Sequence, residues 1–120
     1  MAAEGTMKID IQTRGFSLTN ALLGYSQRRV NGAMAYISGH VNRVVIRLSD
    51  INGPRGGADK CCHVQVALAG IPDVVVEDTE VDMYTAIDRA IDRARRTAVR
   101  KVDRQQTLLK QRDTYIFDEE

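Results

Sequence analysis

A helical period of apolar side chains runs from Met83 to about Leu109 and is the longest regular pattern in the chain. Apolar residues that return every three or four positions form one face of an α-helix. Asp82, just ahead of this period, is a residue type that caps helix N-termini. The pattern therefore predicts one long helix with a sheet-facing stripe made of Met83, Ile87, Ala90, Ile91, Ala94, Ala98 and Val102.

Four stretches alternate apolar and polar residues, as half-buried strands do. Thr19 or Asn20 is predicted to cap a second helix that runs to about Ile37. Glycines and prolines predict a loop at Asn52–Gly57 and a turn at Gly70–Asp73. The predicted strands cover residues 7–13, 41–49, 60–69 and 74–80.

The predicted element order is β-α-β-β-β-α. Short loops between the last three strands indicate an antiparallel meander. The first βα step implies a right-handed crossover, which makes the first two strands parallel. Since the strands alternate, one sheet face is wet and both helices cover the other. We expect an α+β two-layer sandwich, with a four-stranded mixed sheet and two helices on one face.

A chain of 120 residues is the size of one domain. We expect a disordered leader at 1–6, a single α/β domain at 7–112 and an acidic flexible tail at 113–120. No apolar run reaches the ~20 residues of a membrane span, and no signal peptide is visible. Cys61 and Cys62 are adjacent and point to opposite faces of a strand, so a disulfide is not expected and a cytoplasmic location fits.

The formal net charge of +1 conceals an uneven distribution. Residues 1–81 carry 8 basic and 8 acidic side chains, residues 82–112 carry 9 and 4, and residues 113–120 carry 0 and 4. The last helix is therefore strongly basic and is followed by an acidic segment. At ~100° per residue, five arginines of this helix lie within a sector of ~80°; they are Arg89, Arg93, Arg96, Arg100 and Arg104.

This arginine row has two interpretations. A run of charge is usually a solvated helix face. A solvated face normally mixes signs, however, and guanidinium binds phosphate bidentately, so the row favours nucleic acid. Arg28 and Arg29 on the first helix are expected to widen the basic surface. The six Tyr and Phe residues lack the spacing of a base-stacking sheet, which predicts contacts to the RNA backbone and shape.

Signs of an enzyme are few. His40 and His63 are the only histidines, and no P-loop, paired-cysteine metal motif or nucleophile elbow is present. The sequence therefore predicts no catalysis, no metal and no cofactor. An enzyme would need a deep pocket with shifted titratable groups near one of the two histidines.

The segment DMYTAIDRAID at 82–92 resembles the helix signature of the ribosome hibernation-promoting factor and ribosome-associated inhibitor A family, formerly called sigma-54 modulation proteins. The resemblance covers 7–105 and includes the MKIDIQTRGFSLTNAL opening, Tyr25 and the Arg28–Arg29 pair of the first helix, the strand with His63 and the basic run RARRTAVRK. It implies a fold like that of double-stranded-RNA-binding domains. Since 120 residues leave no room for a second domain, it implies a short form.

The resemblance also implies a function. Family members bind the small ribosomal subunit where mRNA and tRNAs would lie, and block translation under stress or in stationary phase. Leu23, Asn31 and Gly32 stand where family members often carry charge, so the first helix is expected to contribute less. With the arginine row, the expected rRNA-binding residues are Arg28, Arg29, Arg89, Arg93, Arg96, Arg100, Lys101 and Arg104.

The expected partner is the ribosome, through the small subunit of a 70S particle. No small-molecule substrate and no membrane are expected, and the free protein is expected to be a monomer. The alternative is a protein–protein regulatory module, for example one that modulates a transcription factor without binding RNA. The sequence leaves open whether single 70S ribosomes are locked or ribosome dimers form.

Overall fold

The structure is a computed structural model that describes residues 7–51 and 59–118, with side chains as far as Gln111. The predicted leader, the loop at 52–57 and the last two residues of the predicted tail lie outside the described residues. The elements in chain order are β1 (Lys8–Arg14), α1 (Asn20–Met34), a 3₁₀ segment (Ala35–His40), β2 (Val41–Asp50), β3 (Lys60–Leu68), β4 (Ile71–Glu80) and α2 (Met83–Asp118).

The four strands form one sheet in the order β1-β2-β3-β4. β1 and β2 are parallel, and Ile11 lies opposite Ile46. β2–β3 and β3–β4 are antiparallel, so that Val64 lies between Ile46 and Val76. This confirms the mixed sheet and the α+β class predicted from the alternation and the short loops.

The core lies between one face of the sheet and the two helices. β2 and β3 contribute fully buried residues such as Ile46 and Val64. The buried stripe of α2 contains several alanines, whose small side chains let the helix lie close to β3 and β4. The fully buried residues of this stripe are Ala86, Ile87, Ala90, Ile91, Ala94 and Ala98.

Both helices start at the predicted caps. The backbone N–H of Leu22 donates to Thr19 Oγ1 at 3.1 Å. The backbone N–H of Thr85 donates to Asp82 Oδ2 at 3.0 Å. Each cap satisfies an N–H group that the first helical turn leaves without a partner.

The end of α1 differs from the prediction. The α-helix stops at Met34, and a 3₁₀ segment continues to His40. Ile37 leaves helical geometry there, with φ of −116° and ψ of 19°. This kink places the Ile37 side chain in the core, where it is 1% exposed. The helical spacing of apolar residues in the sequence therefore continues past the end of the α-helix.

The predicted turn at Gly70–Asp73 is wrong, because β4 already begins at Ile71. The chain reverses at Ala69 and Gly70, where Gly70 adopts a φ of +72°. Pro72 lies within the strand, which is possible because β4 is the edge of the sheet and proline there removes no interior hydrogen bond.

Helix α2 is longer than predicted. It continues to Asp118 instead of ending near Leu109, so the predicted tail begins as helical backbone. No glycine or proline occurs between Lys110 and Asp118 to stop it. At 1.5 Å per residue α2 spans about 54 Å, against about 33 Å for a ten-residue strand. It is highly charged, and no helix in the described ranges could cross a membrane.

Candidate nucleic-acid interface

The arginine row follows the edge of α2 that lies beside strand β4. All five side chains are exposed. The row starts near the end of β4, because α2 runs antiparallel to that strand. This places its first members beside the acidic residues of the strand, which are Asp78, Glu77 and Glu80.

The first two arginines of the row bind β4. Arg89 Nε lies 3.4 Å from Glu80 Oε2. Arg93 Nη1 donates to the backbone carbonyl of Glu77 at 2.9 Å and lies 3.9 Å from Asp78 Oδ2. These contacts tie the helix to the edge strand, and they partly neutralise both guanidinium groups.

The rest of the row divides in two. Arg96 forms a close ion pair with Asp92, one turn earlier on the same helix. Arg100 and Arg104 form no ion pair within the part of the chain that the structure describes. The row therefore has a paired section, Arg89 to Arg96, and an open section, Arg100 and Arg104.

The two arginines of α1 also differ. Arg29 Nε lies 2.9 Å from Asp88 Oδ1, which also accepts a hydrogen bond from the Tyr25 hydroxyl at 2.5 Å. This bond to the Asp88 carboxylate, followed by burial, raises the pKa of Tyr25. Arg28 is exposed and has no ion pair among the described side chains. Arg29 thus joins α1 to α2, and Arg28 is the open cation of this helix.

The expected widening of the arginine row by α1 is interrupted. At about 100° per residue, Asp88, Asp92 and Asp103 occupy the sector of α2 between the row and the side that contacts α1. Arg28 therefore lies across an acidic strip from the row. Arg95, which was not among the expected binding residues, lies on the same side of α2 as Asp88 and is exposed.

Lys101 does not belong to the row. Its angular position matches the buried stripe, and its side chain is half-buried. One turn later, Gln105 Nε2 donates to the backbone carbonyl of Gly70 at 3.2 Å. Lys101 therefore lies between the buried stripe and Arg104, its neighbour three residues later, on the side of α2 that faces the sheet.

The other face of the sheet carries a cavity of about 490 Å³, lined in part by Arg47, Cys61, His63 and Glu77. Cys61 lies on this open face and Cys62 on the other, as their adjacency predicted, yet Cys61 is only 5% exposed. Burial raises the pKa of the Cys61 thiol, so it stays protonated at neutral pH and is a poor nucleophile. No group of three or more His, Cys, Asp and Glu in the described residues could hold a metal.

Sequence reasoning missed this cavity. Alternation places its polar side chains on the open face, but their alignment depends on the pairing register of four strands. β1 and β2 are joined through α1 and not by a tight turn, so no local turn geometry fixes their register.

The chain is similar to proteins of known structure. Among solved structures, the Thermus thermophilus Protein Y N-terminal domain is 29% identical with a TM-score of 0.66, over 78% of this chain and 98% of that chain. A ribosomal subunit interface protein from Coxiella burnetii shares the fold, at 16% identity and a TM-score of 0.69, over 81% and 99% of the two chains. A search of curated proteins finds no match.

Residues 9–106 match the family described as Sigma 54 modulation protein / S30EA ribosomal protein. This range contains nearly the whole sheet, α1 and the basic part of α2. It also contains the DMYTAIDRAID segment, whose resemblance to the hibernation family is confirmed. The chain therefore belongs to the Sigma 54 modulation protein / S30EA family of ribosome-associated proteins.

Proposed function

We propose that this protein is a translation inhibitor that binds rRNA of the small ribosomal subunit in the channel for mRNA and tRNA. Its family and its similarity to the Protein Y domain support an association with ribosomes. The observation that carries the proposal is the open section of the arginine row. Arg100 and Arg104 are exposed, and no carboxylate among the described residues pairs with them.

The mechanism is steric. Arg89 and Arg93 hold α2 on β4, and Asp88 holds it on α1, so the open arginines project from a fixed helix. Guanidinium groups bind phosphate bidentately, which orients the domain on the rRNA backbone. The bound domain then occupies space that mRNA and tRNA need, and no bond is made or broken.

The proposal also covers the partner, the location and the oligomeric state of the protein. The partner is the small subunit within a 70S ribosome, the location is the cytoplasm, and the free protein is a monomer. No enzymatic step is part of it, which agrees with the raised thiol pKa values of Cys61 and Cys62.

The test is co-sedimentation with ribosomes after charge reversal at the open section. Replacing Arg100 and Arg104 by Glu should remove the protein from the ribosome fraction, because both phosphate contacts become repulsive. The matched control replaces Lys8 and Arg43 by Glu, since these exposed residues lie opposite each other on the open sheet face. The control makes the same change in net charge and should still co-sediment.

Unchanged co-sedimentation of the Arg100→Glu, Arg104→Glu protein would remove the open section from the mechanism. Loss of binding in both variants would attribute binding to net charge and not to this site. Circular dichroism and thermal unfolding of each variant establish that the fold is retained.

The protein–protein alternative has one observation in its favour. Leu108 and Leu109 are 56% and 45% exposed on the part of α2 that outruns the sheet. Contacts between apolar side chains resist salt, whereas contacts to phosphates are screened. Partner binding that persists at about 0.5 M salt would favour this alternative.

A further inference from the structure

A row of polar side chains crosses the face of the sheet that the helices do not cover. These side chains take no part in the rRNA contacts proposed for the arginine row. Gln12 of β1 pairs with Arg47 of β2, and Arg47 pairs with His63 of β3. His63 in turn pairs with Glu77 of β4. Four polar side chains therefore cross the sheet in one line, and all four line the cavity of about 490 Å³, hereafter the open-face pocket. Its volume lies within the range of small-ligand sites.

The β1–β2 end of the open-face pocket is cationic. Arg14 and Arg47 line it, and Arg14 lies two residues along β1 from Gln12, the partner of Arg47. Neither forms an ion pair with a carboxylate in the described part of the chain. Arg47 Nε donates to Gln12 Oε1 at 3.3 Å, and Gln12 Nε2 donates to Asp10 Oδ2 at 3.0 Å. This chain of hydrogen bonds orients the Arg47 guanidinium, and Ser49 adds a hydroxyl to the lining.

The β4 end of the open-face pocket is anionic. Glu77 is exposed there, two strands away from Arg47, which is about 10 Å at ordinary strand spacing. His63 lies between them, and its Nδ1 is buried without a hydrogen-bond partner among the described residues. A buried ring nitrogen without a partner costs free energy. The pocket thus offers phosphate-binding groups at one end and a hydrogen-bond acceptor at the other.

We propose that the open-face pocket binds a nucleoside phosphate whose base carries an amino group. Arg14 and Arg47 hold the phosphate, as paired guanidinium groups do. The base stacks on the plane of His63, which lies between Arg47 and Glu77, and stacking is a common way to hold an unpaired base. Its amino group donates to Glu77, the contact that a carboxylate makes with cytosine N4. This site lies on the sheet face opposite α2, and it stands independently of the ribosome proposal.

The test is a pair of ligands that differ in one group. Cytidine monophosphate carries an amino donor where uridine monophosphate carries a carbonyl acceptor, so Glu77 distinguishes them. Each nucleotide is titrated into the full chain, and binding is monitored by the NMR signals of the His63 ring and nearby amides. Cytidine monophosphate should show saturable binding, and uridine monophosphate should bind more weakly. Inorganic phosphate alone should bind more weakly than either nucleotide.

Three variants assign the contacts. Replacing Arg47 by Ala should weaken cytidine monophosphate about tenfold to a hundredfold, the usual effect of losing a charged hydrogen bond. Glu77→Gln should remove the preference for cytidine over uridine and leave the phosphate contact. Arg100→Ala together with Arg104→Ala should leave nucleotide binding unchanged, which separates this site from the arginine row.

A second arm distinguishes the two sources of the ligand. A short single-stranded RNA ending in a 5′-phosphorylated cytidine is compared with the free nucleotide and with the same RNA lacking the phosphate. Tighter binding of the phosphorylated RNA assigns the pocket to an RNA end, and tighter binding of the free nucleotide assigns it to a metabolite. The absence of saturable shifts at millimolar nucleotide, or binding that Arg47→Ala leaves intact, would overturn the proposal.

Discussion

Asp88 illustrates what single residues of the signature segment do. Its carboxylate accepts hydrogen bonds from Tyr25 and Arg29, which precede it by 63 and 59 residues. Tyr84 packs against Tyr25 edge-to-face at 4.9 Å, and Asp82 caps α2. The resemblance therefore identified residues that join the two helices. Their structural role was not readable from the sequence, because their partners are far away along the chain.

Cys62 provides a prediction at this scale. Burial in the core raises the pKa of its thiol from an ordinary value of 9.0 to about 12. Above pH 9 the unfolded chain loses this proton while the folded chain keeps it, so stability should fall between pH 9 and about 12. Within this window the Cys62 thiol should lower the free energy of unfolding by about 1.4 kcal/mol per pH unit.

Urea unfolding across this pH window measures the effect. Cys62→Val keeps an apolar side chain of similar size and removes the titrating group, so its stability should fall less steeply with pH. The Cys61→Ser protein is the comparison: it removes a thiol whose pKa is also raised but retains Cys62, so its stability should fall more steeply with pH than that of Cys62→Val. Equal slopes for the wild type and Cys62→Val would contradict the assignment.

Helix α2 has two kinds of arginine along one edge. Its first arginines bind the acidic strand β4, and its later arginines have no carboxylate partner among the described residues. The row itself was predictable, because helical spacing alone places five arginines in one sector. Its division was not, because that depends on which strand lies beside the helix and where the acidic residues of the strand stand.

The division predicts unequal effects on stability. Arg93→Ala removes a hydrogen bond to the Glu77 carbonyl and an ion pair with Asp78, and should cost about 0.5–1.5 kcal/mol. Arg104→Ala removes no contact of this kind and should stay within about 0.5 kcal/mol of the wild type. Chemical denaturation of both variants gives the two free energies of unfolding that are compared with the wild-type value. Equal losses would show that Arg93 does not hold α2 on β4.

The two element boundaries that were predicted wrongly each have a physical cause. Alternation identified all four strands, and apolar spacing identified both helices. The start of β4 was misplaced because Pro72 is tolerated at a sheet edge, and edge position is a property of the assembled sheet. The end of α1 was misplaced because Ile37 keeps the helical spacing while its backbone turns into a 3₁₀ conformation.

At the scale of the whole molecule, cations without an ion pair among the described residues lie on two surfaces. Arg28, Arg100 and Arg104 are on the helices, and Arg14 and Arg47 are on the open face of the sheet. The uneven distribution of charge along the sequence predicted the arginine row of α2 and not the cations of the open sheet face. The acidic strip across α2 and the open-face pocket required the packed structure, since both depend on how distant elements align.

The central claim is that Arg100 and Arg104 neutralise rRNA phosphates. The affinity for isolated small ribosomal subunits, measured over a range of salt concentrations, tests it most directly. Each phosphate contact contributes about 0.7–0.9 to the slope of log K against log salt. We predict that Arg100→Ala combined with Arg104→Ala makes this slope shallower by about 1.5. A variant slope and affinity equal to those of the wild type would contradict the account.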